Sequence, residues 1–184
     1  MSKVFFVVDV EATGPDFTQH NMYQFACVPL LSSGQILEGV AYDVELISDV
    51  HDPETLAFLK KELEITPDIL KQRPNQIPAH EAMKQFHQFI RKSLQDTNTN
   101  IPVFVADNLA FDWGYIHTYF HRFLGFNPFG YAGRNIPCLS LGFYGTREAW
   151  EQHITRKHTH NALDDVIGNA GALSVMIKEG LQIT

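Results

Sequence analysis

The pattern of apolar and polar positions along the chain predicts strands first and helices later. A β-branched and aromatic run at 3–10 is typical of a buried strand. Two more strands are predicted at 23–31 and 36–46, and Ser-Ser-Gly at 32–34 between them indicates a hairpin turn. The apolar run at 101–106 predicts a later strand.

Helical spacing and capping residues predict the remaining elements. Asp52 followed by Pro53 is a helix start, and Gly125 is a helix end. The predicted helices cover 53–63, a short segment from 66, 78–94, 111–125, 146–154 and 162–180, and 136–141 is predicted as a strand. Three leading strands followed by alternating helices and strands indicate an α/β fold with a mixed sheet flanked by helices. A length of 184 residues favours a single domain over 1–184.

Composition and charge exclude some classes of protein and favour a globular one. Apolar residues make up 45% of the chain, with 14 Phe, and the formal net charge is −7. This charge argues against a basic surface that binds long nucleic acid by phosphate neutralisation alone. Cys27 and Cys138 have neither metal-site nor disulfide spacing, as expected of reduced thiols in a cytoplasmic protein. The first apolar run is too short for a signal peptide and no run reaches membrane-spanning length, so no membrane contact is expected.

Two acids lie at the end of the first predicted strand. Asp9 and Glu11 are two residues apart, so strand alternation places both side chains on one face, roughly 6.5–7 Å apart along the strand. Two carboxylates there are costly unless water or cations surround them. The motif alone is more typical of a solvated strand end.

A third acid is predicted at the start of a central helix. If Asn108 is the N-cap and accepts a backbone N–H, Asp112 is the fourth helical residue, within the first turn. An ordinary acid at a helix start has the same pattern.

The segment His-Thr-His-Asn-Ala-Leu-Asp-Asp at 158–165 contains two histidines and two aspartates. With Asn161 as N-cap, Asp164 can reciprocate as in a capping box, and His160 and Asp165 occupy positions that converge across the helix start. A helix that starts two residues earlier would instead select His158.

The three motifs, in this order, resemble the DEDDh exonucleases, the family of ribonuclease T, oligoribonuclease and polymerase proofreading subunits. The resemblance runs from residue 4 to about 173. It implies a ribonuclease-H-like fold with a five-stranded mixed sheet whose first three strands are antiparallel. It also implies 3′–5′ hydrolysis of single-stranded RNA or DNA from the 3′ end, with release of 5′-mononucleotides.

The resemblance implies roles for five residues. Asp9, Glu11, Asp112 and Asp165 would hold two Mg²⁺ or Mn²⁺ ions, whose hard character suits oxygen ligands. His160 would accept a proton from the attacking water, a role that suits imidazole near neutral pH.

Substrate contacts follow from the same resemblance. Backbone groups of Thr13 and Gly14 would approach the terminal nucleotide, and Asn108 would contact substrate. Phe111 is a candidate for stacking on a base, and a core aromatic is the equally weighted alternative. Further candidates are Phe17 and Met22 for stacking and Arg156 and Lys157 for phosphate, although the sequence favours packing for the first pair and solvated side chains for the second.

Departures and alternatives stay open at this point. Asp107 occupies a position where the family often has His, and 49–61 resembles an additional helix that has no assigned role. A catalytically silent binding module and a zinc hydrolase that uses His153, His158 and His160 are the competing interpretations. The sequence leaves a homodimer open.

Overall fold

The computed structural model describes residues 3–154 and 159–183. Its strands are β1 (Lys3–Ala12), β2 (Met22–Leu31), β3 (Val40–Asp43), β4 (Ile101–Ala106) and β5 (Gly133–Asn135). Its helices are α1 (Pro53–Leu63), α2 (Pro67–Lys71), α3 (Ala79–Asp96), α4 (Leu109–Leu124), α5 (Ile136–Tyr144) and α6 (Ala162–Lys178), with a 3₁₀ helix at Ala149–His153.

The strands form one sheet in the order β3-β2-β1-β4-β5. β1 pairs antiparallel with β2, β2 pairs antiparallel with β3, and β4 runs parallel to β1 and β5. The predicted five-stranded mixed sheet with three antiparallel leading strands is therefore confirmed.

Alternation along β1 divides the core into two layers. Phe6, Val8 and Val10 pack in the layer that contains residues of α3 and α4. Phe5 and Val7 pack in the other layer, with α6. Asp9 and Glu11 continue the odd-numbered face, so they point toward the side of the sheet that α6 covers.

Two predicted elements are wrong in the segment before α6. Residues 136–141 form most of helix α5 instead of a strand, because Asn135 caps the segment by accepting a bond from the Cys138 amide and Gly145 ends it in a left-handed conformation. Periodicity alone cannot decide whether so short an apolar run is a buried strand or a buried helix. The predicted helix at 146–154 is reduced to the 3₁₀ helix at Ala149–His153. Elsewhere in the chain, the third strand, Val40–Asp43, is shorter than the predicted 36–46.

Among residues 3–154 and 159–183, no helix is both long and apolar enough to cross a membrane.

Candidate active site

The acid cluster, defined here as Asp9, Glu11 and Asp165, lies where β1 meets the start of α6. One carboxylate oxygen from each residue lies within 4.8 Å of the other two. Asp9 is 8% exposed and Asp165 is 5% exposed, so water solvates these charges poorly. Within the described ranges, no other group of three or more His, Cys, Asp or Glu side chains meets so closely.

Asp112 joins this site from the opposite layer. β1 pairs with β4 only as far as Val7, and beyond that point the Val10 amide donates to Asp112 Oδ1 at 3.0 Å. Asp112 Oδ2 is buried and has no hydrogen-bond partner among the described residues. A buried carboxylate oxygen without a donor is expected where a cation supplies the missing partner.

The crowding of negative charge raises several pKa values. Burial raises the pKa of Asp9 well above its ordinary value, and repulsion from Asp112 and Glu11 adds to the shift. Burial also raises the pKa of Asp112, and the neighbouring Asp107 carboxylate increases it further. Burial and repulsion from Asp165 raise the pKa of Glu11 to about 7. Without a counter-ion the site therefore favours protonated acids, and the donor set of hard oxygens fits a divalent cation.

The start of α6 has the predicted register. Asn161 is the N-cap and its side chain accepts bonds from the amides of Leu163 and Asp164. The Asp165 carboxylate accepts bonds from the amides of Thr159, at 2.8 Å, and His160, at 3.0 Å. The Asn161 cap is therefore confirmed, and the Asp165 carboxylate meets His160 through the backbone amide, whereas the sequence predicted a pair between carboxylate and imidazole.

His160 is exposed and adopts a left-handed backbone conformation, with φ 56°. Such a conformation is uncommon for a residue with a side chain, although His tolerates it better than most. The two hydrogen bonds that backbone amides donate to Asp165 hold this turn. His158, together with the phosphate candidates Arg156 and Lys157, lies outside the described residues.

An open cleft of about 460 Å³, called the active-site cleft below, adjoins the acid cluster. It is lined by Val10, Glu11, Ala12, Gly14, Pro15, Asp52, Glu54, Thr55, Phe58, Leu59 and Phe111. Helix α1, whose role the sequence left open, supplies one wall. The opposite wall includes Phe111, whose ring contacts Tyr115 edge-on with centroids 5.2 Å apart.

Gly14 is required by the close approach of two loops. A Cβ added at Gly14 would lie 2.2 Å from His20 Nδ1 and 2.6 Å from Asp52 Cβ. The Gly14 carbonyl accepts a 2.6 Å bond from the Tyr115 hydroxyl. A side chain at position 14 would displace the α1 wall, so the glycine maintains the shape of the cleft.

Thr13 is fully buried and connects the segments around the cleft by hydrogen bonds. Its hydroxyl accepts from the Asn21 amide at 3.1 Å and lies 3.1 Å from His51 Nδ1. Its backbone N–H donates to Asn21 and its carbonyl accepts from Asp52. These bonds anchor the segment before α1 to the end of β1, beside the acid cluster.

The structure corrects the expectation for Asn108 and gives Met22 the packing role that the sequence favoured for it. Asn108 is the residue before α4, but its side chain makes no capping bond, and the Asn108 amide instead donates to Asp107 Oδ1 at 2.7 Å. Met22 is completely buried and is not available to stack on a base. Phe17 is 37% exposed and packs over Gly114, where a Cβ would lie 2.4 Å from its ring.

The motifs did not identify three residues that contact the site's acids, its histidine or the start of α6. Gln24 Oε1 accepts from the Ala162 amide at 3.0 Å and so fixes the start of α6 to the sheet. The Tyr23 hydroxyl lies 3.5 Å from Glu11 Oε2. Phe58 contacts His160 edge-on. Gln24 lies opposite Glu11 in the β1–β2 ladder, and a hairpin register argument could have found it.

Sequence comparisons identify the family to which the chain is similar. Residues 2–177 match the family model described as the 3′–5′ exoribonuclease Rv2179c-like domain. The chain is 32% identical over 142 residues to the 3′–5′ DNA exonuclease Cap18 of Escherichia coli, covering 76% of this chain and 69% of that protein.

Solved structures share the fold. A full-length 3′-exonuclease aligns with 98% of this chain and 84% of its own, at 18% identity and a TM-score of 0.71. The zinc-bound form of an E. coli ExoI–ssDNA complex aligns with 98% of this chain at 14% identity and a TM-score of 0.71. The chain spans only 41% of that ExoI protein.

The family match covers nearly the whole chain, and three of the four acids that carried the resemblance meet at one end of β1, where Asp112 accepts from the Val10 amide. The protein belongs to the Rv2179c-like family of 3′–5′ exoribonuclease domains, within the DEDD exonuclease superfamily.

Proposed function

We propose that the protein is a metal-dependent exonuclease, a single domain over 1–184, that removes 5′-mononucleotides from the 3′ end of single-stranded RNA or DNA in the cytoplasm. The observation that carries this proposal is the convergence of three carboxylates within 4.8 Å beside an exposed histidine. The family description and the name of the E. coli relative support the same activity.

Asp9, Glu11 and Asp165, together with Asp112, are the residues that would hold the cofactor, two Mg²⁺ or Mn²⁺ ions. When bound, these cations supply positive charge to the phosphate and lower the pKa of water. The unpartnered Asp112 Oδ2 and the raised pKa values of Asp9 and Glu11 support this assignment. Four carboxylates against two divalent ions give a site that is neutral overall.

The protein's own groups then position and deprotonate the nucleophile. His160 accepts a proton from the attacking water, whose oxygen bonds to phosphorus while the bond from phosphorus to the 3′-oxygen breaks. The departing 3′-oxygen takes up a proton to become a hydroxyl. Asp165 holds the turn that carries His160 through the Thr159 and His160 amides.

The active-site cleft is the proposed location of the 3′-terminal nucleotide. Phe111 lines it and is the side chain proposed to stack on the base, and Gly14 lets the α1 wall approach closely. We propose Thr13, through the loop it anchors, and Asn108, at the start of α4, as the remaining substrate-binding positions.

The test is degradation of matched single-stranded RNA and DNA hexamers, labelled at the 5′ end, with Mg²⁺ and with Mn²⁺. We expect a ladder that shortens from the 3′ end and a 5′-mononucleotide product. The family is described as exoribonuclease and the E. coli relative as a DNA exonuclease, so both polymers are assayed side by side. No degradation of either polymer with either metal would contradict the proposal and favour a silent binding module.

A further inference from the structure

A second cleft lies beside the active-site cleft. This distal cleft of about 550 Å³ is lined by residues of the first turn of α4, by Trp113 and by Tyr131, Gly133, Asn135, Cys138 and Arg147. The segment from β5 to the residues after α5 forms its outer wall. None of the residues that line it belongs to the acid cluster.

The two clefts share the first turn of α4. Asn108, Leu109 and Ala110 line the distal cleft, while the next residue, Phe111, lines the active-site cleft. Asp112, in the same turn, reaches the acid cluster through Val10. The first turn of α4 therefore lies between the two clefts, with residues 108–110 on the distal cleft and Phe111 on the active-site cleft.

The side chains at the distal cleft suit a nucleic-acid strand. Tyr131 is 95% exposed, the largest exposed fraction among the large apolar and aromatic side chains that the structure describes. Arg147 is also exposed. The ion pairs among residues 3–154 and 159–183 involve other cations, namely Lys61, Lys71, Arg73 and Lys84. An aromatic face with a nearby cation is the combination that binds single strands by base stacking and phosphate attraction.

Charge complementarity supports this occupant. On a chain of net charge −7, a long anionic strand is repelled from most of the surface. An arginine at the mouth of the distal cleft gives the strand one favourable path away from the acids. The exposed Asn108 and Ala110 carry no charge, and the carboxylate of Asp107, which precedes them, accepts a bond from the Asn108 amide.

We propose that the distal cleft binds the nucleotides on the 5′ side of the scissile bond, with a base stacked on Tyr131 and a phosphate at Arg147. This inference rests on the proposed exonuclease function. It adds a subsite that makes affinity depend on substrate length, whereas the chemistry remains at the acid cluster.

The test compares a substrate that fills only the active-site cleft with one that reaches the distal cleft. Thymidine 5′-monophosphate p-nitrophenyl ester has no upstream nucleotide, and a single-stranded hexamer has five. Tyr131→Ala should raise KM for the hexamer roughly tenfold, given the usual contribution of base stacking. Arg147→Gln should raise KM for the hexamer about threefold to tenfold at low salt. It should also make the slope of log affinity against log salt shallower by about 1, because one phosphate contact is lost. Both variants should hydrolyse the ester like the wild type.

Controls separate the possible outcomes. Tyr131→Phe keeps the aromatic face and should retain the wild-type KM. Phe126→Ala removes a 43% exposed aromatic at the far end of α4 and Arg91→Gln removes an exposed cation on α3, so neither should change KM for either substrate. A wild type that hydrolyses neither substrate overturns the proposed function. A wild type active on both, with Tyr131→Ala and Arg147→Gln unchanged on the hexamer, overturns only the distal subsite.

Discussion

The ring of Phe58 contacts the imidazole of His160 edge-on, with centroids 5.0 Å apart and planes at 78°. The two residues lie on different elements, α1 and the turn before α6, and 102 positions separate them in the chain. Phe58 is 41% exposed, so its ring is not explained by core packing alone. The sequence left helix α1 without a role. Through Phe58, α1 contacts the proposed general base, His160, beside the active-site cleft.

Phe58→Ala should lower kcat by about twofold to tenfold, because an edge-to-face pair contributes roughly 0.5–1.5 kcal/mol to orientation. The effect should be present with the p-nitrophenyl ester as well as with a hexamer, since it acts through His160. A matched control is Phe126→Ala, which removes an edge-on contact of the same geometry, to His87 at 5.0 Å and 79°. A change in KM alone, with kcat intact, would instead assign Phe58 to substrate binding.

His160→Ala should lower kcat by roughly 10²–10⁴, the usual contribution of a general base, with little change in KM or in metal binding. His158→Ala should cost less than about tenfold. The reason is the register of α6, in which the Asp165 carboxylate binds the His160 amide. Measuring kcat for the two variants side by side decides between them, and an inactive His158 variant with an active His160 variant would refute the assignment.

Chelation by EDTA should abolish activity, and Mg²⁺ or Mn²⁺ should restore it. Asp9→Asn should be nearly inactive while keeping the far-UV circular dichroism of the wild type. Metal should raise Tm, because a ligand at about 100 times its Kd stabilises the native state by about 2.7 kcal/mol. Asp96→Asn, which removes an exposed acid at the end of α3, is the control that should behave like wild type. Full activity in excess EDTA is incompatible with the proposed mechanism.

The stability of the metal-free protein should fall as pH rises from about 4.5 to about 7. The folded-state pKa of Glu11, about 7, lies above its ordinary value of 4.5, so the native state binds its proton more tightly than the unfolded state does. That contribution is complete below about 4.5 and is lost as pH rises through about 7. Tm measured after metal removal at pH 5 and 7.5 tests this. Glu11→Gln should reduce the fall in Tm, whereas Glu38→Gln, at an exposed position, should leave it unchanged.

Binding of a single-stranded oligomer should depend weakly on salt. A chain of net charge −7 neutralises few phosphates, so the slope of log affinity against log salt should be about −1 to −3. Fluorescence anisotropy with the Asp9→Asn variant, across a series of salt concentrations, measures the slope without cleavage. A steep slope, or efficient cleavage of a circular substrate, would indicate a different mode of binding.

Local chemistry in the sequence determined much of the candidate site. Strand alternation alone places Asp9 and Glu11 on one face, and the Asn161 cap alone brings the His160 amide and the Asp165 carboxylate together. These relations depend on backbone geometry within one element or one helix end, so residue spacing is sufficient to predict them. The order of the elements likewise predicted the mixed sheet.

Tertiary packing decided the rest. The bond from the Val10 amide to Asp112, the contact of Phe58 with His160 and the pairing of Gln24 with the start of α6 join residues separated by 102, 102 and 138 positions. Residues 136–144 became a helix because a cap at each end overrode an ambiguous apolar run. Such contacts depend on how the two layers pack on the sheet, and no local periodicity encodes which side chains then meet.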